Sequence, residues 1–373
     1  IHLKLERIIW ESSVFIDGNI VGSANSLVGS HNFNLTTFLT PGKHLLTVCI
    51  DNSNKFPFIN VPGTMYPDKV NQDMAHGYTN HTQIKWNGIL GEIALETSSK
   101  NAPKDLQVYP NKTLDKLSVR FEQTKIEEAI VTCVITSIAS GEQVFNEKVN
   151  IVKNANHLVS FEIDRPKKLQ LWDEFSPNLY HLEIQTKSGK VATNFGYKFV
   201  GNDNGDLTLN NKRIFLRGNL ECVIFPLTGY PPTKKEDWAK LIKQAKAYGL
   251  NHLRFHSWCP PKAAFEAADE AGFYYQVELP HWSLKVGEDK NTTAFLRKEA
   301  DKMLKDYGNH PSFIFMALGN ELQGDISVLN DMVADLKPKD NRHLYATTAF
   351  SFQQPTGTRP EKEDEFFIAQ WTD

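Results

Sequence analysis

The run Phe313-Ile314-Phe315-Met316-Ala317-Leu318-Gly319-Asn320-Glu321 decides the fold class. Its apolar part has no polar face, which is how a strand covered on both sides by helices reads. Helical spacing flanks it: Leu296, Ala300, Met303, Leu304 and Tyr307 before, and Leu329, Met332, Val333 and Leu336 after. The same alternation runs upstream. Trp238, Leu241, Ile242, Ala245 and Tyr248 mark a helix closed by Gly249, where a C′ glycine belongs. Asn251 to His256 follow as a strand; Pro261 then opens a helix ending at Gly272, and Phe273 to Leu279 form the next strand. Strand centres fall near residues 215, 253, 276, 315, 346 and 368. Such alternation predicts a parallel sheet or a (β/α)8 TIM barrel over residues 204–373. A full barrel takes roughly 250 residues, so about six of its eight strands are expected, with the C-terminal part missing.

The sequence before residue 204 is β-rich. Val14-Phe15-Ile16, Asp17-Gly18-Asn19 and Ile20-Val21 read as a hairpin, and His44 to Ile50 as a further strand, closed by Asp51-Asn52-Ser53-Asn54. Pro41-Gly42 and Pro62-Gly63 punctuate turns, so residues 1–101 are expected to form a jelly roll whose beginning is cut away. After Ser98 to Pro103, alternation at Leu117, Val119 and Phe121 begins a second block. The run Ala129 to Ile135, then Leu158, Phe161 and Ile163, then Leu179 to Ile184, continue it, and residues 102–203 suit an immunoglobulin-like β-sandwich. Both chain ends read as strands, Ile1 onward and Phe366 to Trp371, and both read as cut.

Composition removes several function classes. Lys and Arg number 41 against 44 Asp and Glu, a formal charge of −3, so no basic face is available for nucleic acid. No apolar run approaches the ~18–20 residues of a membrane-spanning helix. Cys49, Cys133, Cys222 and Cys259 lie far apart without metal-ligand spacing, which argues against a zinc module or a disulfide scaffold.

In a barrel the working residues stand at the C-terminal ends of strands. Those ends offer Asn219 and Glu221, Arg254 and His256, Glu278, and Asn320 with Glu321. Three carboxylates, an imidazole and a guanidinium aimed at one mouth suit acid–base chemistry. A barrel aldolase would want a lysine ending a strand, and none does.

Several runs resemble glycoside hydrolase family 2. Leu171-Trp172 with Ser176-Pro177-Asn178-Leu179-Tyr180-His181-Leu182 looks like the family's "LWSPExPxLYxL", and Leu209 to Gly218 resembles its "lNGkxixLRG". Gly249 to Arg254 with Pro260-Pro261 and Ala268-Asp269-Glu270-Ala271-Gly272 is similar to "GxNxxRxxHxP…xDexG". Asn309-His310-Pro311-Ser312 with Leu318-Gly319-Asn320-Glu321 is similar to "NHPSxxxWSLGNE", and Val14 to Gly18 looks like "VwvNG". The resemblance implies a jelly roll, an immunoglobulin-like sandwich and a catalytic barrel. It implies a retaining exo-β-glycosidase, with β-galactosidase as the expected specificity and β-glucuronidase or β-mannosidase after it.

Carried over to this sequence, Glu321 is the general acid/base and Asn320 bonds the sugar 2-OH, a contact that strengthens in the transition state. Arg254 orients the nucleophile and holds it ionised; His256, Glu278 and Glu221 complete the substrate-binding set. The nucleophile would end a seventh strand, beyond the six expected in this sequence. Three departures bear on the sugar: Glu221 stands where the family usually has His, His256 and Ser257 exchange the usual order, and no His follows Glu278 in Glu-x-His spacing. No metal at that site and no cofactor are therefore expected. A carbohydrate is the expected partner, a homo-oligomer is compatible, and a periplasmic or extracellular bacterial location is implied. The rival reading is a non-catalytic carbohydrate-binding protein built from the same domains.

Overall fold

A computed structural model describes residues 1–53, 55–60 and 86–369. Asn54, Pro62-Gly63 and the end of the Phe366 to Trp371 run, from Gln370 on, lie outside the described residues.

Two three-stranded antiparallel sheets come first. Glu11–Ile16 lies between Asn19–Asn25 and Leu46–Asp51, and His2–Leu5 lies between His31–Asn34 and Ile93–Glu96. Alternation sets the layers: Ser12, Val14 and Ile16 turn inward against Leu3, Leu5 and Phe33. The two-residue turn Asp17-Gly18 has φ of 51° and 81°, the geometry that lets a hairpin keep its twist.

Residues 104–195 form two four-stranded antiparallel sheets. One has the order Gln143–Asn150, Ile130–Ser137, Tyr180–Thr186, Gly189–Phe195, and the other Val152–Lys153, Leu158–Asp164, Lys116–Glu122, Lys104–Pro110. Leu117, Val119 and Phe121 share a core with Val131, Cys133, Ile135, Leu182 and Ile184.

A small antiparallel sheet, Val200–Asp203, Asp206–Leu209 and Lys212–Arg213, precedes five parallel strands. These are β1 (Gly218–Glu221), β2 (His252–Phe255), β3 (Tyr274–Glu278), β4 (Phe313–Ala317) and β5 (Leu344–Ala346). They alternate with α1 (Lys235–Ala247), α2 (Lys262–Ala271), α3 (Lys290–Tyr307) and α4 (Ile326–Leu336). Spatial order follows chain order without reversal, β1-β2-β3-β4-β5. Every residue of β3 and β4 is buried; for β4 an apolar run without a polar face requires it, whereas β3 also buries Gln276 and Glu278. Gly272 closes α2 at φ 63°, and a Cβ there would sit 2.8 Å from the Glu174 carbonyl oxygen, so only glycine fits.

Three expectations need correcting. The segment near residue 215 is not the first parallel strand; Lys212–Arg213 pairs antiparallel and β1 begins at Gly218. Residues 366–369 form no strand, because Phe366 instead packs its ring on Phe315 at 4.9 Å. The parallel strands therefore number five among the described residues, not six. On α1 only Trp238 and Ile242 are buried; Leu241 and Tyr248, on the same periodic stripe, are exposed.

Buried polar contacts join the three units. Arg7 of the first unit is 1% exposed and donates to the carbonyl oxygens of Leu27 (3.0 Å), Cys259 (3.0 Å) and Pro260 (2.7 Å) and to the Tyr307 hydroxyl (3.1 Å). The Tyr307 hydroxyl in turn donates to the Val28 carbonyl at 2.8 Å. Glu299 of α3 accepts from the backbone N–H groups of Leu27 (2.7 Å) and Val28 (3.1 Å) and from the Ser26 hydroxyl (3.2 Å). On the sandwich side, Asn309 takes the Val108 N–H at 3.0 Å and donates to the Leu106 carbonyl at 2.8 Å, as a neighbouring strand would. Arg342 lies over the Tyr109 ring at 4.4 Å and donates to Gln107 at 2.9 Å.

Tyr307→Phe deletes one oxygen and strands Arg7 and the Val28 carbonyl of a partner each. A buried group left unsatisfied costs about 1–3 kcal/mol. The expected result is a urea midpoint lowered accordingly, with faster hydrogen exchange at Leu27 to Gly29; an unchanged midpoint would show that this junction contributes nothing to stability.

Candidate active site

The cluster begins with sheet register. Arg254 on β2 pairs with Gln276 on β3, and Glu278 pairs with Ala317 on β4. Gln276 and Glu278 are two apart on one strand and so share a face. Glu278 is fully buried, and both of its oxygens are bonded. Oε1 accepts from Arg254 Nε at 2.6 Å and Gln276 Nε2 at 3.0 Å; Oε2 accepts from the Ser257 N–H at 2.8 Å. Ser257 adopts φ 56° to aim that N–H.

The guanidinium of Arg254 also donates through Nη2 to Asn320 Oδ1. That bond orients the Asn320 amide, and its Nδ2 is left buried with no hydrogen-bond partner among the described residues. The side chain's backbone is seated by Asn320 N donating to the His281 carbonyl at 3.0 Å. Gly319 permits the approach: at φ 146° its missing Cβ would fall 2.2 Å from the His281 oxygen.

Glu321 follows at φ 51°, a left-handed conformation a glutamate adopts only where its surroundings hold it. The residue is half-buried. Burial pushes its carboxyl pKa above the ordinary value; Arg254 and a hydrogen bond from the Trp282 side chain oppose this, and Glu278 adds to it. A raised carboxyl suits a general acid.

His256 is buried, its Nδ1 3.2 Å from Ser257 Oγ and its ring set edge-on to Trp282 at 4.9 Å. Burial, helped by Arg254 and resisted by Glu278, lowers its pKa. Glu221 ends β1 but turns toward its own loop, Oε1 accepting from the Ile224 N–H at 3.3 Å. Burial pushes its carboxyl to about 7 against the backbone N–H groups of Ile224 and Val223 and the Trp258 indole. The structure thus gathers Arg254, Glu278, Asn320, Glu321 and His256 at one mouth, with Glu221 on the adjoining edge. Among the described residues no group of three His, Cys, Asp or Glu side chains gathers closely enough to hold a metal ion.

Sequence reasoning missed Gln276, Ser257, His281 and Trp282. Only Gln276 carried a signal, its spacing of two from Glu278 on a strand. The other three act through backbone groups or a contact between loops, which no residue pattern announces.

Residues 92–199 match the family model described as "Glycosyl hydrolases family 2". A β-galactosidase of Thermoanaerobacterium thermosulfurigenes is 25% identical over 67% of this chain and 36% of its own length. A putative β-glucuronidase of Formosa agariphila is 25% identical over 93% of this chain and 32% of its own length. The β-galactosidase large subunit of Latilactobacillus sakei is 23% identical over 92% and 54%. The chain thus spans about a third to a half of the curated relatives it matches. Among solved structures, a Bifidobacterium dentium β-glucuronidase complexed with coumarin-3-O-glucuronide superposes with TM-score 0.78 at 16% identity, covering 92% of this chain and 62% of that one. An uncultured Clostridium sp. β-glucuronidase gives 0.76 at 16%, covering 98% and 61%; at such identity the likeness is one of fold. The family model matched across the sandwich and the relatives aligned along nearly the whole chain support a glycoside hydrolase family 2 protein.

Proposed function

We propose that this chain carries the acid/base half of a retaining exo-β-glycosidase. In this reading residues 1–101 are a jelly roll, 102–203 an immunoglobulin-like sandwich, and 204–373 part of a (β/α)8 barrel whose mouth holds the site. Parallel strands in unreversed order suit a barrel better than a doubly wound sheet, whose order reverses at a switch point.

The observation that carries the proposal is the orphaned Asn320 Nδ2 beside a half-buried Glu321. A buried amide donor without a partner costs free energy unless a ligand supplies an acceptor. A sugar 2-OH supplies one, and hydrogen bonds to that group strengthen in the transition state. Glu321, its carboxyl pKa raised by burial, gives its proton to the departing glycosidic oxygen. In the second step the same group, now a carboxylate, takes a proton from water. The nucleophile is a second carboxylate about 5–5.5 Å from the first. Glu278 is a poor candidate for it, because Arg254, Gln276 and Ser257 already occupy its lone pairs.

Galactose is the proposed terminal sugar. Relatives carry both galactosidase and glucuronidase names. Arg254, the guanidinium at this mouth, is committed to Glu278 and Asn320, which leaves it ill placed to receive the carboxylate of a uronic acid. A panel of nitrophenyl β-glycosides tests the sugar: turnover of the glucuronide alone would overturn galactose.

Two substitutions test the roles. Glu321→Ala should slow hydrolysis of a poor-leaving-group glycoside by roughly 10²–10⁴-fold. It should largely spare glycosylation by an activated aryl glycoside, with azide rescuing the second step as the glycosyl azide. Undiminished rates on the poor leaving group would end the assignment. Asn320→Ala should lower kcat/KM for the parent sugar by about tenfold or more, one good hydrogen bond's worth, yet barely alter it for the 2-deoxy glycoside. Equal losses on both substrates would remove the 2-OH contact from the account.

A further inference from the structure

The loop after β3 and the loop after β4 are laced together by backbone hydrogen bonds. Asn320 N donates to the His281 carbonyl (3.0 Å), Gln323 N to Ser283 (2.9 Å), Val286 N to Gln323 (2.9 Å) and Asp325 N to Val286 (2.9 Å). The lacing brings Trp282 opposite Glu321, whose charged carboxylate the Trp282 side chain favours, and the Trp282 ring meets His256. The other side of Trp282 belongs to a different unit. Its backbone N–H donates to the Ile59 carbonyl at 3.0 Å, and Asn60 forms a parallel bridge with it. The segment supplying these groups is itself seated on α3. Phe56 stacks on Phe295 at 4.4 Å and lies 5.9 Å from Trp10, and the Pro57 carbonyl accepts from Thr292 Oγ1 at 2.7 Å.

We propose that Trp282 is a positioning residue for Glu321, and that the first β unit takes part in catalysis by holding Trp282 through Ile59 and Asn60. This rests on the reading of Glu321 as acid/base. The chemistry favours an indole in that place. Its N–H can only donate, so it stabilises the carboxylate more than the protonated acid. A group that gives a proton in one step and takes one in the next needs both states within reach. Burial by itself favours the protonated form of Glu321. The groups facing it are Arg254 from β2, Glu278 from β3 and Trp282 from the loop; Arg254 is engaged with Glu278 and Asn320. Trp282 is the neutral member of that set, and it restrains a side chain whose backbone is held at φ 51°.

The test has a readout independent of turnover. In the ¹⁵N-labelled full chain, one of the seven tryptophan indole signals should vanish in Trp282→Phe and show contact with the His256 ring. It should move with pH as Glu321 titrates, and stand still in Glu321→Gln. An indole signal that is flat in the wild type, or that titrates unchanged in Glu321→Gln, would overturn the proposal. In kinetics, loss of the donor raises the Glu321 pKa, so the alkaline limb of kcat/KM in Trp282→Phe should move up by about half a pH unit or more. Phe56→Ala, remote from the mouth, should shift that limb the same way. A limb that stays put in Trp282→Phe refutes the positioning role, and one that stays put only in Phe56→Ala refutes the part played by the first unit. Undiminished poor-leaving-group rates in Glu321→Ala would instead sink the acid/base reading, with the indole titration still deciding the hydrogen bond.

Discussion

A carboxylate with no exposure to solvent has to be paired, and at the mouth of the parallel sheet that requirement falls on Glu278. Satisfying it recruits Arg254 from the preceding strand, Gln276 from its own, and the Ser257 N–H from a turn held at positive φ. Once Arg254 is bound to Glu278, its remaining arm reaches Asn320 and dictates which end of that amide points away. The orphaned Nδ2 follows from this. Pairing a single buried charge thus fixes the strand-end rotamers, the turn after β2 and the orientation of the Asn320 amide.

A similar logic holds the units together. Asn309, His310 and Ser312 lie just before β4, yet none of them joins the cluster around Glu278. Asn309 imitates a strand edge for Leu106 and Val108 of the sandwich. His310 Nδ1 lies 2.6 Å from Asp269 of α2, and the Ser312 N–H donates to the same carboxylate at 3.0 Å. Trp172, from the other conspicuous run of the sandwich, donates its indole N–H to the Asp269 carbonyl at 2.9 Å. These residues bear the joint between two units. The seat of the first unit, through Arg7, Glu299 and Tyr307, had no such signature, since its acceptors are mostly backbone carbonyls.

The junctions also bear on chemistry. The segment from Phe56 to Asn60 reaches over α3 to the loop carrying Trp282, so the first β unit adjoins the mouth as well as the helices. A glutamate on a positive-φ backbone, as Glu321 is, depends on such neighbours more than one on a regular strand does, because its own local structure does not hold the side chain.

The amino-acid sequence by itself determined what local chemistry dictates. The Asp17-Gly18 turn, the alternation through Leu117, Val119 and Phe121, the C′ glycine after α2, and the buried runs of β3 and β4 all follow from side-chain periodicity and the steric freedom of glycine. It also placed Arg254, Glu278, Asn320 and Glu321 at strand ends, since a parallel α/β order turns its loops to one side. Where local preference had to yield to neighbours, only tertiary structure decided. Phe366 packs as a ring on Phe315 instead of joining a ladder, and Leu241 and Tyr248 face outward on a helix that buries only Trp238 and Ile242. The pairing of Glu278, the free amide of Asn320 and the reach of Trp282 to Glu321 belong to the same class. Each depends on atoms brought together from separate strands and loops, and the energy of a buried polar contact is set by who stands opposite, which no single stretch of chain contains.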